Sequence, residues 1–445
     1  MTYREALKYL DSFVNFEKSD GYNYKTSFKL ERMKRLAALL GDPQRSVRSI
    51  HIAGSKGKGS TASYVHSILG SAGFKTGLYT SPHLVSFRER IRIGGELISE
   101  EDLARILGRI KRVLESSMKD GRPTFFEIYT ALAYIYFKER RADLAVYEVG
   151  LGGRLDATNL VESLISAITP LSYEHTDKLG DTLEEITTEK CGIIKRGSIC
   201  VSAPQERPAL KVIEDICKER KVRLILVGRD IKFKELASDE NSNTFGVSGL
   251  FREYEGLKTS LIGPHQMVNA ATAIGIIEAL RLQKVIIPEK AVRNGIRDAR
   301  WPGRLEIVDR RPFVLLDGAH NKASARILVE AVKKIFKFRK LILVFGVSKD
   351  KDVKGILEEL MPLSDFIVLT KSKVPERAME PVKIRETLEQ IRNDRSTIIA
   401  PNVKEALNIA RLNTSPDDLI LVTGSLFVVG EAISSLRGCR RQPKQ

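Results

Sequence analysis

Glycine, lysine and serine alternate after residue 53 in a pattern that suits phosphate binding. An apolar strand precedes this segment and a helix-period segment follows it, so the unpaired N–H groups at the helix start face one point. The backbone can curl closely at three glycines, Gly54, Gly57 and Gly59. Lys58 can reach the β and γ oxygens of a nucleotide, and Ser60 can touch a metal or a phosphate. The spacing departs from G-x-x-x-x-G-K-[ST], which leaves an ordinary Gly- and Lys-rich turn as the alternative.

Two further polar residues follow buried strands. Glu148 lies near the end of the otherwise apolar run 144–149, and His175 follows the next run, 164–169. Ligands in open α/β sheets bind where the C-terminal ends of the strands meet, so Glu148 is well placed to hold magnesium. The alternatives are a surface carboxylate at a strand end and a histidine with a purely structural role.

A third polar group, residues 317–321, follows the apolar strand 313–316. Two α/β units that each place polar residues at a strand edge predict a nucleotide held in the cleft between them. The alternative is an Asx turn that caps the next helix.

The elements that must position these residues form two stretches of alternating strands and helices, the pattern of parallel sheets covered by helices. The expected strands are 49–53, 76–80, 144–149 and 164–169 in the first stretch, and 313–316, 341–345, 366–369 and 419–423 in the second. We expect strand 49–53, a helix from Ser60 and strand 76–80 to form a βαβ unit. The segment 206–263 fits this pattern less well, with one clear helix and a few strands added to the first domain.

A breaker cluster, residues 301–304, separates the two stretches. We therefore expect one domain over residues 1–298 and a second over residues 299–445. The chain has 445 residues, which exceeds the roughly 250 to 300 at which single cores stop growing. Two α/β domains are thus the expected fold.

The composition is that of a globular protein, with 42% apolar and 29% charged residues. No apolar run approaches the ~18 residues that a membrane span needs, and residues 1–17 lack the apolar core of a secretory signal. We expect a cytoplasmic protein with no membrane partner. The net charge of +17 favours polyanionic partners, which include nucleotides, acidic metabolites and nucleic acid.

The order of these motifs is similar to that in folylpolyglutamate synthases and dihydrofolate synthases, members of the Mur-ligase superfamily. The matching segments are 54–60, 79–84, 148–159, 189–195, 263–266, 301–304 and 317–321. The segment EVGLGGRLDATN, residues 148–159, resembles the folate branch rather than the cell-wall ligases. The resemblance implies an α/β fold with two domains. The first is a P-loop-type ATPase domain with a parallel sheet, and the second is a smaller, Rossmann-like glutamate ligase domain.

The resemblance also implies an ATP-dependent amide ligase. A carboxylate resists attack by an amine, because it is anionic and its oxygen is a poor leaving group. The implied route transfers the γ-phosphoryl group of ATP to a carboxylate of folate or dihydropteroate, and the amine of L-glutamate then attacks the acyl phosphate. The resemblance also implies that the enzyme uses two magnesium ions. It implies a monomeric protein that binds small-molecule substrates and no nucleic acid.

Individual roles follow from the matching motifs. The candidate catalytic residues are Lys58, Lys190 and His175. The candidate ATP contacts are Gly54, Gly57, Lys58, Gly59, Ser60, Asn269, Arg304, Asp317 and His320. The candidate metal ligands are Ser81, Glu148, His175 and Lys190, the last as a carbamoylated lysine. The candidate contacts to the pteridine side of folate are Thr124, Phe126, Asp156 and Ala157. Taken without the resemblance, Lys190 reads as a lysine on a helix surface and Phe126 as a core residue.

The chain departs from the family pattern at three sites. Ser55 and Lys56 stand where Thr-Asn is usual, which predicts an extra cation beside the phosphates. Lys29 stands in a segment where a glycine often helps to bind dihydropteroate, which favours the glutamate-adding activity over dihydrofolate synthesis. Glu174 replaces a common aspartate before His175.

Two alternatives stay open on the sequence. A Mur-type ligase that acts on a uridine-linked peptide would share the fold and the ATP chemistry, but no uridine-binding domain precedes residue 54. A nucleic-acid-binding ATPase would account for the positive charge, but no helix-turn-helix, RNA-recognition motif or basic patch with interleaved aromatic residues is present.

Overall fold

The chain contains three β-sheets. The structure is a computed structural model, and it describes residues 1–17, 22–117, 121–391 and 396–440. The strands of the largest sheet are β1 Arg48–Ala53, β2 Thr76–Tyr79, β3 Ile91–Ile93, β4 Glu96–Leu97, β5 Leu144–Glu148, β6 Ser163–Ile168, β7 Ile199–Ser202 and β8 Arg223–Leu226. They lie in the order β4-β3-β2-β5-β1-β6-β7-β8. Neighbouring strands are parallel except for the pairs β2–β3 and β3–β4.

Near-continuous apolar runs place β1, β5 and β6 at the centre of this sheet, buried on both faces. The expected βαβ unit is only partly correct, because β1 does not pair with β2. The strand β5 lies between them and pairs with both. Since β5 is buried along its whole length, the centre of the sheet is the position that removes it from water on both faces.

Helices cover both faces of the large sheet. They are α1 Tyr3–Asp11, α2 Tyr24–Ser27, α3 Leu30–Leu39, α4 Lys58–Ser71, α5 Glu100–Ser117, α6 Phe125–Glu139, α7 Thr176–Leu179, α8 Leu183–Cys191 and α9 Arg207–Arg220, with 3-10 turns at Pro43–Ser46, Phe87–Arg90 and Ala157–Leu160. The helix expected from Ser60 begins two residues earlier, at Lys58. One core packs α1, α3, α5 and α6 against Tyr79 and Tyr147 of the sheet.

The segment 206–263 contains α9, the edge strand β8 and a separate antiparallel sheet. The strands of that sheet are β9 Lys232–Ser238, β10 Asn243–Ser248 and β11 Glu253–Thr259. Two helices follow, α10 Pro264–Leu282 and α11 Glu289–Asp298. Phe245 and Leu257 of the small sheet share one core with α4, α10, α11 and the second face of the large sheet. The central strand of the small sheet, β10, alternates buried and half-buried residues, since only one face of the sheet meets that core.

The third sheet contains β12 Glu306–Arg310, β13 Phe313–Leu316, β14 Leu341–Phe345, β15 Phe366–Leu369, β16 Thr397–Ile399 and β17 Leu419–Thr423. Its order is β12-β13-β17-β14-β15-β16, parallel except for β12–β13. The covering helices are α12 Lys322–Ile335, α13 Val353–Leu360, α14 Pro381–Ile391, α15 Val403–Leu412 and α16 Leu426–Arg440, with a 3-10 turn at Met361–Leu363. Apolar cores lie on both faces of this sheet.

The α/β fold expected from the sequence is therefore confirmed, with a large, mainly parallel sheet and a smaller C-terminal one. The four strands expected in the C-terminal part match β13, β14, β15 and β17. The division of the chain between residues 298 and 299 stays a prediction. Within the described ranges, no helix combines the length and the apolar character that a membrane crossing requires.

Candidate active site

A cavity of about 310 Å³ lies at the C-terminal edge of the large sheet, between it and the C-terminal part of the chain. Most of the residues singled out in the sequence line it. They are Gly54, Gly57, Lys58, Gly59, Ser60, Ser81, Thr124, Phe126, Glu148, Asp156, Ala157, His175, Lys190, Arg304 and His320. Two others, Asn269 and Asp317, are buried behind the lining. The parallel order of β2, β5, β1 and β6 brings these distant segments to one edge.

The loop after β1 is held against the segment that follows β6. The backbone N–H groups of Ser55 and Lys56 donate to Pro170 O, over 3.1 and 3.0 Å. The Ser55 hydroxyl donates to Ser172 O over 3.0 Å and accepts from Ser172 N–H over 3.1 Å. The loop then enters α4 at Lys58, whose Nζ donates to Gly54 O over 3.0 Å. The first turn of α4 therefore presents its free N–H groups to the cavity.

Gly57 shows why this loop needs glycine. Its φ is +79°, in the left-handed region, and a Cβ there would lie 2.1 Å from Asn269 Oδ1. Asn269 is 3% exposed, and its Nδ2 donates to Gln266 Oε1 over 3.1 Å. The side-chain amide of Asn269, on α10, thus packs against the loop at Gly57.

Glu148 is buried rather than being a surface carboxylate at a strand end, with 5% exposure. Ser81 N–H donates to its Oε2 over 3.3 Å. Burial raises the pKa of Glu148 to about 7, although Lys58 and Arg304 oppose this shift. A buried carboxylate with so little hydrogen bonding is stabilised by a cation.

The donors around Glu148 fit magnesium, which prefers oxygen ligands and takes one or two carboxylates together with water and substrate phosphates. The described part of the chain contains no cluster of three Asp, Glu, His or Cys residues that would enclose a metal alone. A site that shares its ion with a nucleotide needs no such cluster. His175 immediately precedes α7, has a φ of +50° and lines the same cavity. Burial lowers the pKa of His175 to about 4, which leaves a neutral imidazole near pH 7.

Lys190 is also buried, so its interpretation as a helix-surface lysine is wrong. It lies on α8 with 2% exposure, and its Nζ donates to Gly54 O over 3.0 Å and to Glu174 Oε1 over 2.9 Å. Burial lowers the pKa of Lys190, while Glu174 opposes the shift. The other oxygen of Glu174 lies 3.8 Å from Lys56 Nζ. Two of the positions that depart from the family pattern therefore meet in one ion pair.

The third departure lies elsewhere. Lys29 is exposed at the start of α3, outside the lining of the cavity. The described structure thus gives this side chain no direct contact with the cavity.

The C-terminal part contributes Arg304 and His320 to the cavity. His320 Nδ1 lies 2.8 Å from Gly318 O, and burial lowers its pKa to about 3. Asp317 instead holds the local turns, because its Oδ2 accepts from Leu305 N–H and its Oδ1 from Ala319 N–H, each over 2.8 Å. The cap of α12 is Asn321, whose side chain accepts from Ser324 N–H. The Asx-type cap considered in the sequence is therefore present, beside a cavity-lining histidine.

The folate-side candidates line the same cavity. Thr124 caps α6, and the ring of Phe126 lies against Gly150, where an added Cβ would be 2.5 Å from Phe126 Cζ. Asp156 is fully buried, and its Oδ2 accepts from the N–H groups of Gly150 and Leu151 over 3.1 and 3.0 Å. The Asp156 carboxylate therefore fixes the backbone of Gly150 and Leu151, which line the cavity.

Sequence reasoning missed two groups in the lining. The first group contains the N-terminal residues Phe16, Tyr22, Phe28 and Arg32, together with Lys178 of α7. The Phe16 and Tyr22 rings are 4.4 Å apart, and Lys178 Nζ lies 4.3 Å from the Tyr22 ring centre. A C-terminal group contains Ser348, Asp350, Lys351 and Arg377. Ser348, Asp350 and Lys351 lie in the loop that follows β14. The rule that ligands bind at the C-terminal ends of parallel strands identified Glu148, and it could also have found these three residues.

Comparison with known proteins places the chain in a family. Residues 52–277 match the Mur ligase middle domain, and residues 303–426 match the glutamate ligase domain of Mur ligases. A dihydrofolate synthase/folylpolyglutamate synthase from Bacillus subtilis is 34% identical over 98% of this chain and 99% of its own. The corresponding protein of Escherichia coli is 33% identical over 91% of this chain and 90% of its own.

Solved structures agree with this assignment. Folylpolyglutamate synthase from Mycobacterium tuberculosis, complexed with ADP and AMPPCP, has a TM-score of 0.88 at 31% identity and covers 99% of both chains. Escherichia coli FolC in complex with DHPP and ADP has a TM-score of 0.86 at 30% identity, again over 99% of both chains. On these matches and the cavity that unites its motifs, the chain belongs to the folylpolyglutamate synthase/dihydrofolate synthase family of Mur ligases.

Proposed function

We propose that this chain is an ATP-dependent ligase that joins L-glutamate through an amide bond to folate, and that it also makes dihydrofolate from dihydropteroate. One observation supports this above all. The phosphate-type loop at Lys58, the Glu148 carboxylate and the ring of Phe126 line the same cavity. A cavity lined by both a phosphate-binding loop and an aromatic ring suits ATP and a pteridine substrate.

The charges around the loop favour a polyphosphate. Four cationic side chains, Lys56, Lys58, Lys190 and Arg304, surround Glu174 and Glu148. Burial alone would raise the pKa of Glu174, but Lys190, Lys58 and Lys56 hold it well below its usual range. The cluster therefore has excess positive charge in a site of low dielectric, where phosphates are attracted strongly.

The reaction that fits this arrangement has two steps. A carboxylate oxygen of the folate-side substrate bonds to the γ-phosphorus of ATP, and the bond to the β-γ bridging oxygen breaks, so that ADP leaves with the electron pair. The amine nitrogen of L-glutamate then bonds to the acyl carbon, phosphate leaves, and the nitrogen loses a proton. Lys58 and the N–H groups of α4 would stabilise the charge that develops on the phosphoryl oxygens.

Magnesium, when bound, neutralises charge on the phosphates during transfer. We assign its ligands to Glu148 and Ser81, with His175 as a ligand of a second ion. Glu148 is a buried carboxylate in need of a cation, and His175 is neutral near pH 7, as a metal ligand must be.

Carbamoylation of Lys190 belongs to the same proposal. The neutral amine would attack the carbon of CO₂ and lose a proton, which gives an anionic carbamate with two oxygens. Burial lowers the pKa of Lys190 and so favours the amine that this step requires. The step would break the ion pair of Lys190 with Glu174, which lies 2.9 Å away. A bound metal ion would then offset the two negative charges.

The choice of substrates rests on relatives. The Bacillus subtilis and Escherichia coli relatives have names with both activities, and the Escherichia coli structure contains DHPP and ADP. The test is ATP turnover by the full chain with L-glutamate and either tetrahydrofolate or dihydropteroate, with products identified by mass. We expect one added glutamyl residue on each acceptor. ATP hydrolysis without a glutamyl product from either acceptor would contradict the proposal.

A further inference from the structure

Lys56 is a second lysine of the loop, two residues before Lys58. Its Nζ is buried, and no acceptor in the described part of the chain lies within hydrogen-bonding distance of it. Its ion-pair partner is Glu174, with Oε2 3.8 Å from Nζ. A buried ammonium that donates no hydrogen bond is costly. The surroundings of Lys56 therefore lack the acceptor atoms that this group needs.

Glu174 cannot supply these acceptors fully, because it is shared. Its Oε1 accepts from Lys190 Nζ over 2.9 Å, and only Oε2 faces Lys56. One carboxylate thus faces two ammonium groups, and Lys58 adds a third positive charge nearby. An incoming anion would complete the hydrogen bonding of Lys56 and neutralise the surplus charge.

We propose that Lys56 is a second phosphate-binding lysine, which exchanges Glu174 for oxygens of the β-phosphate of the nucleotide. This inference rests on the proposed ATP-dependent function. A phosphate oxygen is both an acceptor and an anion, so the hydrogen bond to Lys56 is of the strong, charge-assisted kind. Lys56 lies between the lining residues Ser55 and Gly57, and its partner Glu174 also lines the cavity. Lys56 and Lys58 then approach the phosphates from the same loop.

The test measures the dissociation constants of ADP and AMP by calorimetry on the full chain with magnesium. Lys56→Met keeps the apolar stem and removes the charge, so we expect ADP binding to weaken about tenfold, the loss of one charge-assisted hydrogen bond. AMP lacks the β-phosphate, and its binding should change less than about twofold. Lys56→Arg should restore most of the ADP affinity. The control is Lys211→Met, since Lys211 has a 71% exposed side chain in a surface ion pair.

Glu174→Gln gives a prediction of opposite sign. It removes the carboxylate that competes for Lys56, so ADP should bind more tightly, and this gain should vanish in the Lys56→Met/Glu174→Gln double variant. A gain that persists in the double variant would assign it to Lys190 and overturn the inference.

The two proposals fail in different ways. If the wild type binds no ADP, the proposed function itself is wrong. If the wild type binds ADP and folded Lys56→Met binds it equally well, only the role of Lys56 is wrong. The same holds if Lys56→Met weakens the binding of ADP and the binding of AMP to the same extent. Should Lys56→Met not fold, Glu174→Gln takes its place, because an ADP affinity unchanged in that folded variant contradicts the inference.

Discussion

The indole ring of Trp301 lies directly against Gly59, in the first turn of α4. A Cβ at residue 59 would lie 2.5 Å from Trp301 Cζ2, closer than carbon atoms approach without contact strain. The Ser63 hydroxyl, one turn along α4, donates to Arg300 O over 2.8 Å. The segment before the C-terminal sheet is therefore fixed to the helix that begins at the proposed phosphate site.

Gly59→Ala should displace Trp301 and move the start of α4. Since small misplacements of a phosphate site are costly, we expect kcat/KM for ATP to fall on the order of 10- to 100-fold. Trp301 is the chain's one tryptophan, so its fluorescence emission reports the displacement. Gly70→Ala is the matched control on α4, because nothing lies within 4 Å of its added Cβ. Equal kinetics in both variants would show that the contact has no functional role.

Lys58→Ala removes the charge that faces the phosphates in our account. The contact strengthens as charge develops, so we expect kcat to fall on the order of 100-fold or more. Steady-state turnover of ATP measures this, with a thermal melt to show that the variant is folded. Near-normal turnover in a folded variant would refute the assignment of the loop.

Lys190→Ala should be nearly inactive if a carbamate on Lys190 holds a metal. Acetate could then occupy the vacated space and offer two oxygens to the ion. We expect partial recovery of ATP turnover with acetate, no gain for the wild type, and none for Lys58→Ala, whose lost group is a cation. A Lys190→Ala variant that keeps most of its activity would rule out the metal-binding role.

His51 should make the fold sensitive to acid. It is fully buried on β1, with Nε2 2.8 Å from Thr158 Oγ1, and burial together with Lys195 lowers its pKa from 6.5 to about 3. Between these values the unfolded chain binds the extra proton, so the free energy of unfolding falls as the pH falls below 6.5. From about pH 7.5 to about pH 5 the loss attributable to His51 is about 2 kcal/mol.

The measurement for His51 is denaturant unfolding at both pH values, in the wild type and in His51→Gln. The glutamine cannot titrate but can still bond to Thr158. We expect the variant to lose about 2 kcal/mol less than the wild type on acidification. An identical loss in the two proteins would mean that His51 does not titrate in this way.

The sequence was sufficient to predict the central strands and the loop, because their apolar runs and glycines are local signals. The strand bounds agree within one or two residues, as at β5, expected over 144–149 and observed at Leu144–Glu148. The insertion of β5 between β1 and β2 was not predictable, since strand order depends on packing between distant segments. Edge strands were missed for a related reason. The strand β16 has three residues and none of them is fully buried, so it lacks the apolar run that reveals a central strand.

The burial of polar side chains was the property that the sequence predicted least well. Glu148 and Lys190 have polar side chains, and a polar residue is exposed in most proteins. Only the fold shows that both are buried at the cavity, with Lys190 bonded to Gly54 O. The meeting of Lys56 and Glu174 also depends on two segments that are far apart in the chain.

The most direct test of the account follows the oxygen atoms of the acceptor carboxylate. The reaction is run with ATP, L-glutamate and a tetrahydrofolate whose reacting carboxylate contains a heavy oxygen isotope. Transfer through an acyl phosphate moves one labelled oxygen into the released phosphate. We predict a labelled phosphate for each glutamyl product, measured by mass spectrometry. Glutamyl product accompanied by unlabelled phosphate would contradict the mechanism proposed for this cavity.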